Sequence, residues 1–91
     1  ETLLPGSYIM SKLVMEPVQV HINGNRSKMS FIWRRRLYRV RKILSWWREP
    51  AEWWHGEAVR CFLRVNAGNS STGTYELCKD DRNWFLYRVL D

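Results

Sequence analysis

Short stretches of alternating apolar and polar residues, separated by turn-forming residues at intervals of about ten positions, constrain this chain most. Val18, Val20 and Ile22 alternate with polar neighbours, and Asn23-Gly24 follows as a two-residue hairpin signal. Similar alternation recurs in the stretches 28–34, 57–65, 74–79 and 84–90. The pattern predicts a mainly β fold, a small antiparallel meander of five to six strands that forms a small barrel or a strongly curved sheet.

The segment 37–48 fits two interpretations. As a strand it places Val40 and Trp46 on one face, and as a helix it aligns Val40 with Trp47 in an apolar stripe. Its β-branched and aromatic residues, and the absence of a helix cap before it, favour the strand. The preceding run 34–36, three arginines, indicates a tight turn or an exposed bend.

The chain has 91 residues, which is enough for one domain with a small core. We interpret residues 1–14 as a loose N-terminal extension or vector-derived residues, and residues 15–91 as a single β-rich domain. The N-terminus lacks the basic and long apolar regions of a signal peptide, and no stretch approaches the ~18 apolar residues of a membrane span.

Positive charge is concentrated in one part of the chain. The net charge is +6, and no acidic residue lies between Pro17 and Trp47, a stretch rich in arginine and lysine. A localised excess of this kind is typical of proteins that meet a polyanion or an acidic partner. A solvated face that only keeps the domain soluble is the alternative.

Catalytic and metal-binding patterns are weak. His55 lies between two glutamates in the sequence, but proximity along the chain does not make a catalytic set. Cys61 and Cys78, with His21 and His55, have no standard zinc spacing. We therefore expect no enzyme activity, no metal, no cofactor and no small-molecule substrate. The cysteines indicate free thiols in a reducing cytoplasm, with a cross-strand disulfide as the alternative.

The acid-free stretch interleaves cations with aromatic rings. Arginines pair with phosphates through a forked set of donors, and aromatic faces stack on unpaired bases. This composition predicts binding of nucleic acid that is single-stranded or flexible. The candidate residues are Trp33, Arg34, Arg35, Arg36, Arg39, Arg41 and Lys42.

Six tryptophans are many for so small a core. In a strand, Trp46 and Trp47 point to opposite faces, so one of them must be exposed or covered by another part of the molecule. Either the indoles pack as a lid over the barrel, or they form a patch for a partner protein or a second copy. The candidate residues for this alternative function, a protein-interaction or self-association module, are Trp46, Trp47, Trp53 and Trp54.

Four segments together resemble a family of small bacterial domains of unknown function. They are the run 31–48, Trp53 to Gly56, Tyr75 to Leu77, and Trp84 to Asp91. They are also similar to the C-terminal end of the inactive Y-family polymerase-like subunit of a bacterial damage-tolerance mutasome. The resemblance implies a small β-rich module without established activity, working near DNA or in a protein complex. Arg35 stands where this resemblance leads us to expect a turn-forming glycine.

Overall fold

Six antiparallel strands form the whole of the regular structure that we describe, in a computed structural model covering residues 11–24, 28–50 and 59–90. The strands are β1 (Ser11–Ile22), β2 (Met29–Trp33), β3 (Arg36–Pro50), β4 (Val59–Gly68), β5 (Thr72–Asp80) and β6 (Asn83–Leu90). Each strand pairs with the next one in sequence, and β1 pairs with β6 to close the ring. The predicted antiparallel meander and its closure are confirmed, and the ambiguous segment 37–48 is strand.

The ring is uneven because β2 is short. It has 5 residues, whereas β3 has 15. β3 departs from regular pairing with β4 after Val40 and again after Ile43. Such bulges bend a strand and increase its twist, which helps a small sheet to close.

The closing ladder begins at the first described residue. Ser11 pairs with Leu90 and Leu13 with Arg88, so strand pairing includes residues that precede the domain start predicted at residue 15. After Leu13 the register shifts, and Met15 adopts a positive φ of 53°.

The core lies inside the ring. Phe31, Val65, Ala67, Leu77 and Leu86 have no solvent exposure. They come from four strands, and each belongs to the alternating set of its strand that faces inward. We call this side of each strand the inner face, and the opposite side the outer face.

The connection between β1 and β2 is longer than the two-residue turn predicted at Asn23-Gly24. Ile22 pairs with Met29, and the backbone N–H of Asn23 donates to the carbonyl of Lys28 at 2.8 Å. This register places Phe31 opposite Val20 on the inner face. A two-residue turn at Asn23-Gly24 would instead pair Ile22 with residue 25, four positions earlier in the chain than Met29.

The arginine run forms the tight turn that its sequence indicates. Arg34 and Arg35 connect β2 to β3 with φ values of 52° and 68°, and Trp33 pairs with Arg36 across the turn. Two consecutive left-handed residues define the type of hairpin turn that usually contains asparagine and glycine. This chain makes it with two arginines.

Candidate functional site: a cationic groove beside β3

The fold divides the predicted basic segment between two places. Arg34, Arg35 and Arg36 lie at the β2–β3 turn, and all three are exposed. Arg39, Arg41 and Lys42 lie farther along β3 and are also exposed. The seven candidate residues therefore do not form one continuous surface.

Arg34 is engaged within the chain. Its Nε and Nη2 donate to the two carboxylate oxygens of Glu16 at 3.0 and 2.8 Å, and its guanidinium lies 4.6 Å from the ring centre of Trp33. Trp33 Nε1 also donates to Glu16, at 2.7 Å. The hydrogen bonds from Arg34 first, and from Trp33 second, lower the pKa of Glu16 below its ordinary value.

Trp33 faces inward. Its ring packs against the core cluster and lies 6.0 Å from the ring of Tyr38, which itself stacks on Phe31 at 5.0 Å. Trp33 is therefore part of the barrel's aromatic packing, and Glu16 compensates the charge of Arg34. Arg35 and Arg36 are the cations of this turn that have no described side-chain partner among the residues of the structure.

A groove of about 630 Å³ lies beside the middle of β3, where β1, β2 and β3 meet at the β1–β2 connection. His21 pairs with Ser30, and Ser30 pairs with Arg39, so the three side chains form one cross-strand row. Lys28 and Arg41 also line the groove. Among the described residues that line it there is no carboxylate. We call this feature the cationic groove.

Arg41 is held in place by the β4–β5 connection. Its Nη2 donates to the carbonyl of Asn69 at 3.0 Å, and the amide Nδ2 of Asn69 donates to the carbonyl of Leu37 at 2.9 Å. Gly68, which precedes Asn69, allows a close approach, because a Cβ there would lie 1.8 Å from the carbonyl oxygen of Ser71. Asn69 thus ties this connection to β3 and fixes one cation of the groove.

Lys42 and Arg41 border a second hollow, of about 410 Å³. Its other lining side chains are mostly apolar and include Ile22, Ile43 and Trp84. This hollow lies next to the cationic groove, since Arg41 lines both.

The tryptophan pair on β3 divides between the two faces of the strand, as its sequence predicts. Trp46 is 62% exposed. Trp47 lies on the outer face, stacks on Phe62 with ring centres 5.4 Å apart, and donates its indole N–H to Glu49 at 3.2 Å. Trp53 and Trp54 lie outside the described residues.

Phe62 and its neighbours form a second packed cluster, on the outer face. Phe62 is 2% exposed, and the ring of Tyr87 meets it edge-on at 5.1 Å. Beside them the buried carboxylate of Glu76 accepts from Arg64 Nε and Nη2 at 2.9 and 2.6 Å. Arg88 lies on its other side, with Nε 3.8 Å from Oε1 of Glu76. The alternation of β4 did not predict this cluster, because it assigned only the odd-numbered residues to a core.

The absence of a zinc site stays a prediction. The structure shows the directions of the two cysteines. Cys61 belongs to the inner set of β4, whereas Cys78 is paired with Phe62 on the outer face, so a disulfide between them is excluded by direction. Burial raises the pKa of the Cys78 thiol. In the described ranges no three His, Cys, Asp or Glu side chains gather as metal ligands. His55 and its flanking glutamates lie outside those ranges.

Three residues that contribute to the groove are not among the candidate residues predicted from the sequence. His21 and Lys28 line the groove, and Asn69 orients Arg41. The spacing of the basic run gives no signal for them, because strand pairing brings His21 to Arg39 across 18 positions of sequence. The one local indication of a groove residue is that His21 lies on the polar face of the strand 18–22.

Fold and groove together define a small, closed, antiparallel β module with a cationic groove beside β3. The chain belongs to the family described as "Domain of unknown function (DUF6504)", whose family model matches residues 10–91. This confirms the resemblance to a small domain of unknown function, while the similarity to the polymerase-like subunit stays a prediction. No curated protein and no solved structure matches the chain. Within the described residues there is no helix long and apolar enough to span a membrane.

Proposed function

We propose that this domain is a non-enzymatic module that binds single-stranded or flexible nucleic acid through the cationic groove. The observation that carries the proposal is the convergence of Lys28, Arg39 and Arg41 around one concave surface without a described carboxylate. His21 lies in the same cross-strand row and adds an imidazole that can donate a hydrogen bond to a phosphate oxygen.

The geometry favours phosphate contacts over recognition of base sequence. Arg39 projects from the outer face of β3, and Arg41 is oriented by Asn69, so two guanidinium groups flank the same groove. Guanidinium groups bind phosphate oxygens through two parallel hydrogen bonds. His21 and Arg39 are separated by two strand spacings, roughly 10 Å, which a flexible strand can bridge by adapting its backbone.

The predicted similarity to the C-terminal end of a polymerase-like subunit supports a role near DNA. The proposal also includes that this protein is bacterial and lies in the cytoplasm. The thiols of Cys61 and Cys78 point to opposite faces of the sheet and do not form a disulfide, as is typical of proteins in a reducing compartment.

Fluorescence anisotropy with a labelled oligonucleotide of about 20 thymidines tests this function at several salt concentrations. The variant Arg39→Gln removes one groove cation, and Arg34→Gln removes an equal charge at the turn. We expect Arg39→Gln to weaken binding about tenfold and to reduce the slope of log Kd against log salt by about 0.7, the value for one phosphate contact to a single strand. Arg34→Gln should leave the slope unchanged.

Two results would overturn the proposal. One is the absence of binding at about 50 mM salt, where phosphate contacts are strong. The other is an equal loss of affinity in Arg39→Gln and Arg34→Gln, which would mean that net charge, and not the groove, attracts the oligonucleotide.

A second candidate function is a protein-interaction module. The specific observation in its favour is the exposure of Trp46 and Ile43, which are 62% and 50% exposed and occupy neighbouring inner-face positions of β3. Apolar side chains that are exposed next to one another mark interaction sites in many soluble proteins.

A further inference from the structure

β3 extends well beyond the strand that pairs with one of its edges. β2 pairs with β3 only from Arg36 to Arg39, whereas β4 pairs with it from Arg39 to Pro50. β4 occupies one edge of β3, and β2 occupies the beginning of the opposite edge. Beyond Arg39, where the β2 ladder ends, none of the strands that the structure describes pairs with that opposite edge. We call the segment 41–50 along this edge the open edge.

An open edge presents backbone groups that can pair with another strand. Beyond the bulge after Ile43 the pairing with β4 is regular, and from Ser45 to Glu49 the backbone N–H and C=O groups that do not pair with β4 point sideways from the sheet, in the pattern that an added strand needs. Proteins commonly prevent such pairing by keeping edge strands short or by covering them. The open edge of β3 is long in comparison with β2.

Apolar side chains lie directly beside the open edge. Ile43 and Trp46 are on the inner face of β3, because they pair with Val65 and Leu63 of β4. The hollow of about 410 Å³ separates this edge from Ile22 at the end of β1. Alternate side chains of an added strand would enter this hollow, which supplies a cavity in addition to backbone pairing.

The charges of the open edge favour an acidic occupant. Arg41 and Lys42 carry two positive charges beside the hollow, and the guanidinium of Arg48 lies over the Trp46 ring at 5.9 Å. The one described carboxylate of the segment, Glu49, already accepts the indole N–H of Trp47. Two copies paired through this edge would bring these cations close together, and like charges across strands are destabilising. Charge complementarity therefore selects a different chain with carboxylates.

We propose that the open edge of β3 binds an extended, acidic segment of another protein as an added strand. Apolar side chains of that segment enter the hollow that Ile43 lines and cover Trp46, and its carboxylates meet Arg41 and Lys42. This inference rests on the second candidate function and gives it its partner chemistry. It shares Arg41 with the cationic groove, whereas Lys42 and Trp46, which the test changes, do not line that groove.

A synthetic peptide of about ten residues that alternates leucine with glutamate is the probe, and the same peptide with lysine in place of glutamate is its control. We expect the acidic peptide to bind at least about tenfold more tightly than the basic one by fluorescence anisotropy. Hydrogen exchange followed by NMR should show new protection of backbone amides between Arg41 and Glu49. Protection there reports strand addition, which a purely electrostatic contact would not produce.

Three variants locate the contact. Lys42→Glu should lower affinity for the acidic peptide and raise it for the basic one, whereas Arg35→Glu makes the same charge change at the distant turn and should alter neither. Trp46→Ala should lower the affinity for the acidic peptide at least about fivefold. Because Trp46 is 62% exposed, this variant should keep the urea unfolding midpoint of the parent chain.

Several results would overturn the inference. They are equal effects of Lys42→Glu and Arg35→Glu, the absence of new amide protection, and protection of the same amides by the oligothymidine but not by the peptide. Sedimentation equilibrium tests whether the protein forms a dimer. If it does, and if Trp46→Ala abolishes the dimer, the open edge binds a second copy of this chain. That result would support self-association and would overturn binding of an acidic segment of another protein.

Discussion

Glu76 is the buried charge on which the outer-face cluster depends. It is 4% exposed and lies between Arg64 and Arg88 on the neighbouring strands β4 and β6. Their guanidinium groups also lie over aromatic rings, Arg64 at 5.6 Å from Trp47 and Arg88 at 5.2 Å from Tyr87. Replacing the carboxylate by an amide in Glu76→Gln keeps the shape of the side chain and removes the charge that both arginines share.

The magnitude follows from the contacts. A hydrogen bond to a charged group contributes about 1.5–3 kcal/mol, and removing one partner of a fully buried ion pair costs about 3–5 kcal/mol. The arginine side chains are 42% and 38% exposed, so water compensates part of the loss. Glutamine also keeps one acceptor oxygen for Arg64. We therefore expect Glu76→Gln to lower the free energy of unfolding by about 2 kcal/mol.

Urea unfolding followed by tryptophan fluorescence measures this loss, and Trp47 lies within the affected cluster. In a thermal scan the same loss corresponds to a fall in Tm of roughly 8–16 °C for a domain of this size. Asp80→Asn is the matched control, because Asp80 is 41% exposed and its carboxylate lies 3.6 Å from Arg60. A half-exposed pair of this kind, held at 3.6 Å, contributes less than about 1 kcal/mol.

The reasoning is refuted if Glu76→Gln destabilises the domain no more than Asp80→Asn does. That result would mean that the burial of Glu76 and its two contacts with Arg64 add nothing beyond an exposed ion pair.

Three further predictions concern the turn, the acid range and the thiols. Arg35→Gly should raise the free energy of unfolding by about 0.5 kcal/mol, because the strain of an arginine in the left-handed conformation costs more than the added entropy of the unfolded chain. Arg35→Val should lower the free energy of unfolding. Urea unfolding midpoints test both changes, and an unchanged midpoint in both variants would contradict the turn geometry. The pKa of Glu16 is lowered in the folded state, so its contribution to stability is present above the ordinary glutamate pKa and is lost as the pH falls through the folded value; NMR titration should show that pKa rising in Arg34→Gln, and no rise would count against the pairing. At neutral pH a disulfide reagent should modify Cys61 in the native protein and Cys78 only after unfolding, since Cys78 is buried and burial raises its thiol pKa; two native thiols reacting at equal rates would be the contrary result.

Local patterns predicted the strands and the β2–β3 turn. The alternation of Val18 and Val20, and of Met29, Phe31 and Trp33, indicated which side chains face the core, because period two is a property of the extended backbone itself. The positive φ of Arg34 and Arg35 agrees with a turn in the arginine run, where cations could not fill a strand centre. Even the opposite directions of Trp46 and Trp47 follow from neighbouring positions in a strand.

Register and closure depended on contacts between distant parts of the chain. The structure does not form the two-residue turn that Asn23-Gly24 indicated, because Ile22 pairs with Met29 and Phe31 lies opposite Val20 in the core. The same pairing brings His21 to Arg39, which makes the cationic groove.

From its residues alone the chain is a basic, antiparallel β domain with a concentration of arginines in the run 34–41. The fold settles which of those arginines can reach a ligand: Arg34 is paired with Glu16, while Arg39 and Arg41 line a groove. In the fold, β3 also extends beyond β2 and keeps one edge open among the described strands. Side-chain alternation is encoded locally, whereas partners, register and strand overlap are set by packing across the whole ring.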